Sequence, residues 1–415
     1  MKNLADVVKN DLCLGCGICC YENRMGEMRF SKKKGQYVPE LAGSAGNKGA
    51  KALAVCPGKG YSIVGDARAL YENGAEYSID LGYVHKVYAV HSNDEAVLAK
   101  ASSGGIITEL CLHLLAGKIV DRVVVTKFIY THEGIRTKTI LTDSTDDILE
   151  SQGSKYCPVN ISDVLKELMK FSGKVAFVGT PCQIAGIRAL QKETDIFKGK
   201  DIITIANFCG GYKSYKNIMR LAKIHHIDFD KINYFRFRGG GQPGSLFMSD
   251  VSGKKIQSPY PKYVGYTGYS RNLRCRLCVD ATAELADIAC GDAWLPRFEN
   301  MFGPWSLAIT RNSFGSNLIE QMIEAKKITA AHVTLQEVIE SQKLNIRSTK
   351  YRQTSRRRLY KILGYKLPKF DGGYRKESTG LKTELIVHLK LKLTLFLEKI
   401  GLYYKVYNFV KLKHK

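Results

Sequence analysis

Val175-Ala-Phe-Val-Gly-Thr-Pro-Cys182-Gln183 and, further on, Ile202-Ile-Thr-Ile-Ala-Asn-Phe-Cys209-Gly-Gly211 decide the fold. Each is a short apolar, β-branched run that breaks into a turn, the pattern of a buried strand. Between them, Ile184 to Lys192 reads as a helix. Strand, helix and strand in this order predict neighbouring parallel strands. The C-terminal ends of such strands share one edge of the sheet, where open α/β folds bind ligands. Cys182 and Cys209 therefore project toward one crevice. Leu-Arg-Cys275-Arg-Leu-Cys278 can close over it and complete four thiolates. On spacing alone, small buried hydrophobes are the lesser alternative for Cys182 and Cys209.

A further set opens the chain: Cys13-Leu-Gly-Cys16-Gly-Ile-Cys19-Cys20. Three cysteines at steps of three form the front of a bacterial ferredoxin motif. Its fourth Cys precedes Pro and serves the other cluster of a two-cluster ferredoxin. That position is Asn23 here. Cys56-Pro57 is the Cys-Pro that fits downstream, and the motif offsets counted back from it fall on Gly46, Gly49 and Ala52. Cys13, Cys16, Cys19 and Cys56 thus make one complete ligand set, and the second set has been lost. A decayed two-cluster ferredoxin with one surviving 4Fe-4S cluster accounts for both. Cys20 is an alternative to Cys19, although the step of three favours Cys19. Zinc also accepts four thiolates, but structural zinc sites favour paired Cys-x2-Cys knuckles. Disulfides are not expected, because the opening MKNLADVVKN lacks the apolar core of a signal peptide and points to a reducing, cytoplasmic compartment.

Four further segments occur in order: Ala-Ser102-Ser103-Gly104-Gly105, Gln152-Gly153-Ser154-Lys155-Tyr156, Gly179-Thr180-Pro181-Cys182-Gln183 and Asp287-Ile-Ala-Cys290-Gly291-Asp292-Ala-Trp294. With the ferredoxin run they resemble the coenzyme F420 hydrogenase/dehydrogenase beta subunit family, over roughly residues 8–310. That family includes bacterial members encoded with polysaccharide biosynthesis genes. Its known members are flavoproteins that carry FAD beside a cubane cluster. The resemblance implies that Cys182, Cys209, Cys275 and Cys278 hold the flavin-proximal cluster. It also implies that the Ser/Gly and Gly/Ser/Lys motifs contact FAD, with Gly179, Thr180, Pro181 and Asp292 in the same site. Cys157 and Cys290 depart from the family's usual residues and, with Cys111, read as packing cysteines.

The chain has 415 residues and a net charge of +24. From Ser341 to Lys415 there are 20 Lys and Arg against 4 Asp and Glu, so most of the charge sits in the tail. No stretch is long and apolar enough for a transmembrane helix. Leu389, Leu393, Phe396, Ile400, Tyr403, Tyr407 and Val410 recur at steps of three and four, which predicts a basic amphipathic helix. Residues 389–397 also alternate, which would suit a strand. Such a helix can dock on its own protein or a second copy, or lie on an anionic membrane surface. Nucleic acid is not expected, since no recognition module accompanies the charge.

The remaining elements follow from the same reading. Residues 1–65 form the ferredoxin-like segment, closed by a strand over Tyr61 to Val64, with a linker over Gly65 to Tyr83. Strands are expected over Val87 to His91 and Val123 to Phe128, and helices over Ser102 to Leu115 and Val159 to Phe171. Residues 80–230 and 231–340 form two halves of the catalytic body, and 341–415 the tail. Phe235-Arg236-Phe237-Arg238 reads as a strand with a solvated charged face, with anion binding by Arg236 or Arg238 as the lesser alternative. Lys155 and Arg188 are candidates to balance negative charge near flavin or substrate. His85, His91 and His113 read as structural. The expected fold is α/β: a ferredoxin-like segment on a flavin-binding body with a mainly parallel sheet, plus a basic helical tail. The expected function is electron flow from a reduced ferredoxin or flavodoxin, through two 4Fe-4S clusters and FAD, to a small organic or glycan-related acceptor or an F420-type cofactor. The competing readings are a non-catalytic electron-transfer subunit and a zinc-bearing binding protein.

Overall fold

The computed structural model describes residues 1–21, 26–41, 47–260, 262–266, 271–299, 301, 303–377 and 380–403. An eight-stranded sheet organises the body. Its strands are β1 (Lys86–Ser92), β2 (Arg122–Thr131), β3 (Gly134–Thr142), β4 (Val175–Gly179), β5 (Ile202–Asn207), β6 (Ile288–Asp292), β7 (Ser306–Thr310) and β8 (Ile328–Ala331). They lie in the order β8-β1-β7-β6-β5-β4-β2-β3. β2, β4, β5 and β6 pair in parallel. β1 runs the same way, and β3, β7 and β8 run against them. The sheet is mainly parallel, as the two opening runs predict.

Alternation along each strand feeds two cores. Phe177 joins Val124, Ala206 and Ala289 on one face. Ala176 joins Val123, Val125, Ile205 and Ile288 on the other. The first face is covered by α2 (Ser162–Lys170), α3 (Pro181–Glu193) and Ile18 of the N-terminal segment. The second is covered by α1 (Ile106–Ala116) and α4 (Ser313–Glu324). Each fully buried Leu, Ile or Phe contributes roughly 1.5–3 kcal/mol. A small antiparallel sheet of Ile232–Arg236, Ser245–Asp250 and Lys255–Pro259 packs with the helix Lys216–Ile224 beside β2 and β3.

The N-terminal segment departs from expectation at its end. Tyr61 to Val64 forms no strand, and Gly65 to Tyr83 is not a linker. A helix runs over Val64–Tyr71, followed by a hairpin of Glu76–Ser78 and Gly82–Val84. The cause lies far along the chain. The Asp371 carboxylate accepts from the backbone N–H groups of Ile63, Val64 and Gly65 at 2.7, 3.0 and 2.8 Å, and from Ser62 Oγ at 2.6 Å. A capping carboxylate of this kind is worth ~1–2 kcal/mol. Burial pushes the Asp371 pKa up, but these donors outweigh it and hold the group below its ordinary 3.8. Its contribution is therefore present above that value and lost as pH falls through the depressed pKa. Thermal melts of Asp371→Asn should show a lower Tm at pH 7 and a flatter decline toward acid than the parent.

The tail is helical, with α5 (Gln353–Ile362) and α6 (Leu381–Lys399). The strand alternative over 389–397 is not adopted. Leu389, Leu393, Phe396 and Ile400 of the expected apolar stripe face solvent, while Tyr407 and Val410 lie outside the described residues. Lys350 enters the body just before α5 and pairs with Glu284, both side chains being buried. It also donates to Gly373 O at 2.7 Å. Burial pushes the Glu284 pKa up to about 7, with Lys350 pulling it back. Lys350→Met should strand the buried Glu284 carboxyl without its partner and cost ~3–5 kcal/mol. Chemical denaturation should show that loss, and Lys350→Met/Glu284→Gln should recover part of it.

Candidate functional site

A cavity of about 520 Å³ opens at the C-terminal edge of the parallel strands, a size in the range of small-molecule and cofactor sites. Ser102, Ser103 and Gly105 line it after β1, Gly153 to Tyr156 from a neighbouring loop, and Gly179 to Cys182 where β4 enters α3. Cys209 to Tyr212 follow β5, and Asp292 ends β6. Every expected cofactor-binding residue except Gly104 lies on this wall. Gly104 stands just behind it, where a Cβ would come within 2.4 Å of Val90 O. The loop can press against β1 only without a side chain there.

The expected helix from Ser102 begins instead at Ile106, because Gly105 turns the chain at φ +78°. No side chain caps α1, and Gly105, Ile106, Ile107 and Thr108 border the cavity. Uncapped first-turn amides at a helix N-terminus suit a phosphate. The Ser102 and Ser103 hydroxyls bond within the protein, to Arg238 O at 3.1 Å and Trp305 O at 3.0 Å.

Lys155 folds back on its own loop. Its Nζ donates to Gly153 O at 2.9 Å, to Gln152 O at 3.3 Å and to Ser151 O. Burial pushes its pKa down to about 7, and the Arg236 charge adds to this. Its geometry is that of a loop lock. Arg188 does not reach the cavity wall, contrary to expectation. It pairs with Asp287 at 2.9 Å and also bonds Thr204, Leu285 O and Tyr71.

Arg238 is not on a solvated strand face: the strand ends at Arg236, and Arg238 is 2% exposed. Its guanidinium grips Asp292 with two bonds, at 2.7 and 3.2 Å. It also donates to Ser102 O at 2.7 Å and Pro243 O at 2.9 Å, and lies beside the stacked rings of Trp294 and Tyr260, 5.3 and 5.5 Å from their centres. Burial opposes its charge, and Asp292 more than offsets this. Nothing in the sequence pairs Arg238 with a carboxylate 54 positions away.

All four cysteines of the later set line the cavity: Cys182, Cys209, Cys275 and Cys278. Cys16 of the first set lies on the same wall. Cys56 packs with Cys19, Cys20 and Leu277 in one small core. Burial pushes the Cys13 and Cys275 thiols up to about 12 and also raises Cys16, Cys56, Cys182 and Cys209. Cys19 is raised first by its Cys20 neighbour, 3.9 Å away, and then by burial. Desolvated thiols in groups of four become thiolates when a cation compensates them. Among the described residues, no three His, Cys, Asp or Glu side chains converge tightly enough for a single metal ion. Cys111, Cys157 and Cys290 are buried, and each also borders the cavity.

Two residues stand between the sets. Tyr212 donates to Leu14 O at 2.7 Å and feels Cys13 and Cys16 on one side and Cys275 and Cys182 on the other. Arg274, 1% exposed, donates to Pro57 O at 3.0 Å and lies close to Cys278 and Cys182. Its place directly before Cys275 is the signal for it in the sequence, one that cysteine spacing does not carry.

Comparison with known proteins bears on this site. Residues 87–166 match the family described as coenzyme F420 hydrogenase/dehydrogenase, beta subunit N-term, and residues 172–336 match its C terminus. The coenzyme F420 hydrogenase subunit beta of Methanococcus voltae is 26% identical over 249 residues, 57% of this chain and 80% of that protein. The coenzyme F420-dependent sulfite reductase of Methanocaldococcus jannaschii is 24% identical over 91% of this chain, which spans 56% of its length. The F420-dependent formate dehydrogenase 1 subunit beta of Methanococcus maripaludis is 28% identical over 50% of this chain, which covers 52% of that subunit. A chain of the F420-reducing [NiFe] hydrogenase complex from Methanosarcina barkeri shares the fold, with a TM-score of 0.54 and 20% identity over 72% of this chain and 99% of that one. The matched residues carry the eight-stranded sheet, most of the cavity wall and the later cysteine set, and the chain belongs to the coenzyme F420 hydrogenase/dehydrogenase beta subunit family.

Proposed function

We propose that the protein is an iron–sulfur flavoprotein oxidoreductase that passes electrons from a reduced carrier to an organic acceptor or an F420-type cofactor. The convergence of Cys182, Cys209, Cys275 and Cys278 with the Ser102–Gly105 and Gly153–Tyr156 loops on one cavity carries this reading. These four cysteines would hold one 4Fe-4S cluster, and Cys13, Cys16, Cys19 and Cys56 the other. Cys19 keeps the motif's step of three from Cys16, so it is the ligand of choice over Cys20. When bound, FAD would supply the conversion between single electrons and a two-electron or hydride transfer. The uncapped start of α1 would meet its pyrophosphate, and Lys155 would fix the loop beneath it. Cys16 on the cavity wall leaves a short protein path between the two sets. The relatives named as subunits support partner subunits or an acidic ferredoxin or flavodoxin donor for this basic chain. The family's bacterial polysaccharide branch makes a glycan-related acceptor at the cytoplasmic membrane face one substrate class to test.

Anaerobically purified protein should contain about eight irons and one FAD per chain, following four irons per cubane. Chemical analysis with a visible spectrum checks this, and zinc without flavin would overturn the reading. Turnover of free F420 or a small acceptor by the isolated chain would separate an enzyme from an electron-transfer subunit.

A further inference from the structure

Helix α6 has two opposed faces. One is docked: Glu384, His388, Leu391 and Thr394 are buried. Glu384 is clamped by Arg352 at 2.5 Å and Arg356 at 3.0 Å, and His388 meets the Tyr360 hydroxyl at 3.3 Å. The other face carries Leu385, Ile386, Leu389, Leu393, Phe396 and, just beyond the helix, Ile400. At 3.6 residues per turn these cover an arc of about 100°, opposite the docked side. Leu389, Leu393 and Phe396 are each 57% exposed. A polar clamp thus holds the helix to the body while its apolar stripe points away from it.

The charges around the stripe say what would cover it. Lys390 lies on one flank and Lys392 and Lys399 on the other, all exposed. The helix carries two acidic residues, Glu384 and Glu398, and the first is turned inward and neutralised. The sequence beyond it adds Lys405, Lys411, Lys413 and Lys415 and no acid. Two copies meeting through this stripe would set lysine against lysine. Aliphatic and aromatic side chains between lysine flanks match an interface of hydrocarbon beneath negative headgroups, with the lysine stems reaching up to them. Among the described residues no helix can cross a membrane, so the mode is one of lying on the surface.

We propose that α6 docks the protein on an anionic lipid bilayer through this stripe. The proposal does not depend on the redox reading. The test is sedimentation of the full chain with phosphatidylcholine vesicles, with and without phosphatidylglycerol, alongside sedimentation velocity without lipid. Binding should require the anionic lipid and weaken with salt. Leu389→Glu/Phe396→Glu should weaken it about tenfold or more while leaving far-UV dichroism unchanged, since both side chains are exposed. Lys390→Gln/Lys392→Gln/Lys399→Gln should weaken it as well. Equal binding by parent and the Glu variant, or no binding to anionic vesicles, would overturn the proposal. So would a parent dimer that the Glu variant converts to monomer without any lipid binding.

Discussion

Cys182→Ala is expected to remove about half of the iron and to loosen FAD, whereas Cys56→Ala removes the other half and leaves FAD bound. The asymmetry follows from where the two thiols stand. Cys182 is the second residue of α3, on the wall of the large cavity, with Thr180 Oγ1 3.4 Å from its sulfur. The same turn presents Gly179, Thr180 and Pro181 to that cavity. Losing a cluster ligand there disturbs the wall that would hold the flavin. A drop in FAD affinity on the order of tenfold, equivalent to ~1.4 kcal/mol, is expected. Cys56 instead borders a separate cavity of about 170 Å³ with Lys59 and Tyr61. Iron and sulfide analysis with flavin equilibrium dialysis on both variants checks the contrast. Loss of all iron and flavin from Cys56→Ala would mean that the two cysteine sets fold as one unit. The shared core of Cys56 with Leu277, next to Cys278, is the route by which that could happen.

Much of this architecture is legible in the sequence because it is local. Strand runs that end in a turn and a cysteine, such as Val175 to Cys182, state both the element and the edge to which it delivers its thiol. What escapes is decided by partners distant in sequence. Tyr61 to Val64 has the composition of a strand, but Asp371 takes its N–H groups and makes a helix start. Arg188 and Arg238 look alike as isolated cations. One is absorbed by Asp287, just ahead of β6, and the other by Asp292, at the end of β6 on the cavity wall. The apolar stripe of the tail is visible as periodicity, yet periodicity does not say which face docks. The Glu384 clamp decides that, and it turns the stripe outward.

Arg238 is the residue whose loss should cost most at the site. Its guanidinium joins the loop after β1 through Ser102 O, the end of β6 through Asp292, the loop between the first two strands of the small sheet through Pro243 O and the Gly153–Tyr156 loop through the Tyr156 hydroxyl at 3.4 Å. Arg238→Met would leave the Asp292 carboxylate without its cation and Ser102 O without its donor. Removing one partner of a buried pair costs ~3–5 kcal/mol. The lower end applies, because the Asp292 side chain is 20% exposed and water can reach it. Arg238→Lys keeps the charge but loses the planar fork, so it should recover only part of the stability. The cavity wall is built from the same loops, so FAD affinity should fall in the same order: parent, Lys, Met. Asp292→Asn with Arg238→Met completes a double-mutant cycle by chemical denaturation. A coupling above about 1 kcal/mol is expected for a direct charge pair, and additivity would show that Arg238 acts through packing against Tyr260 and Trp294 instead.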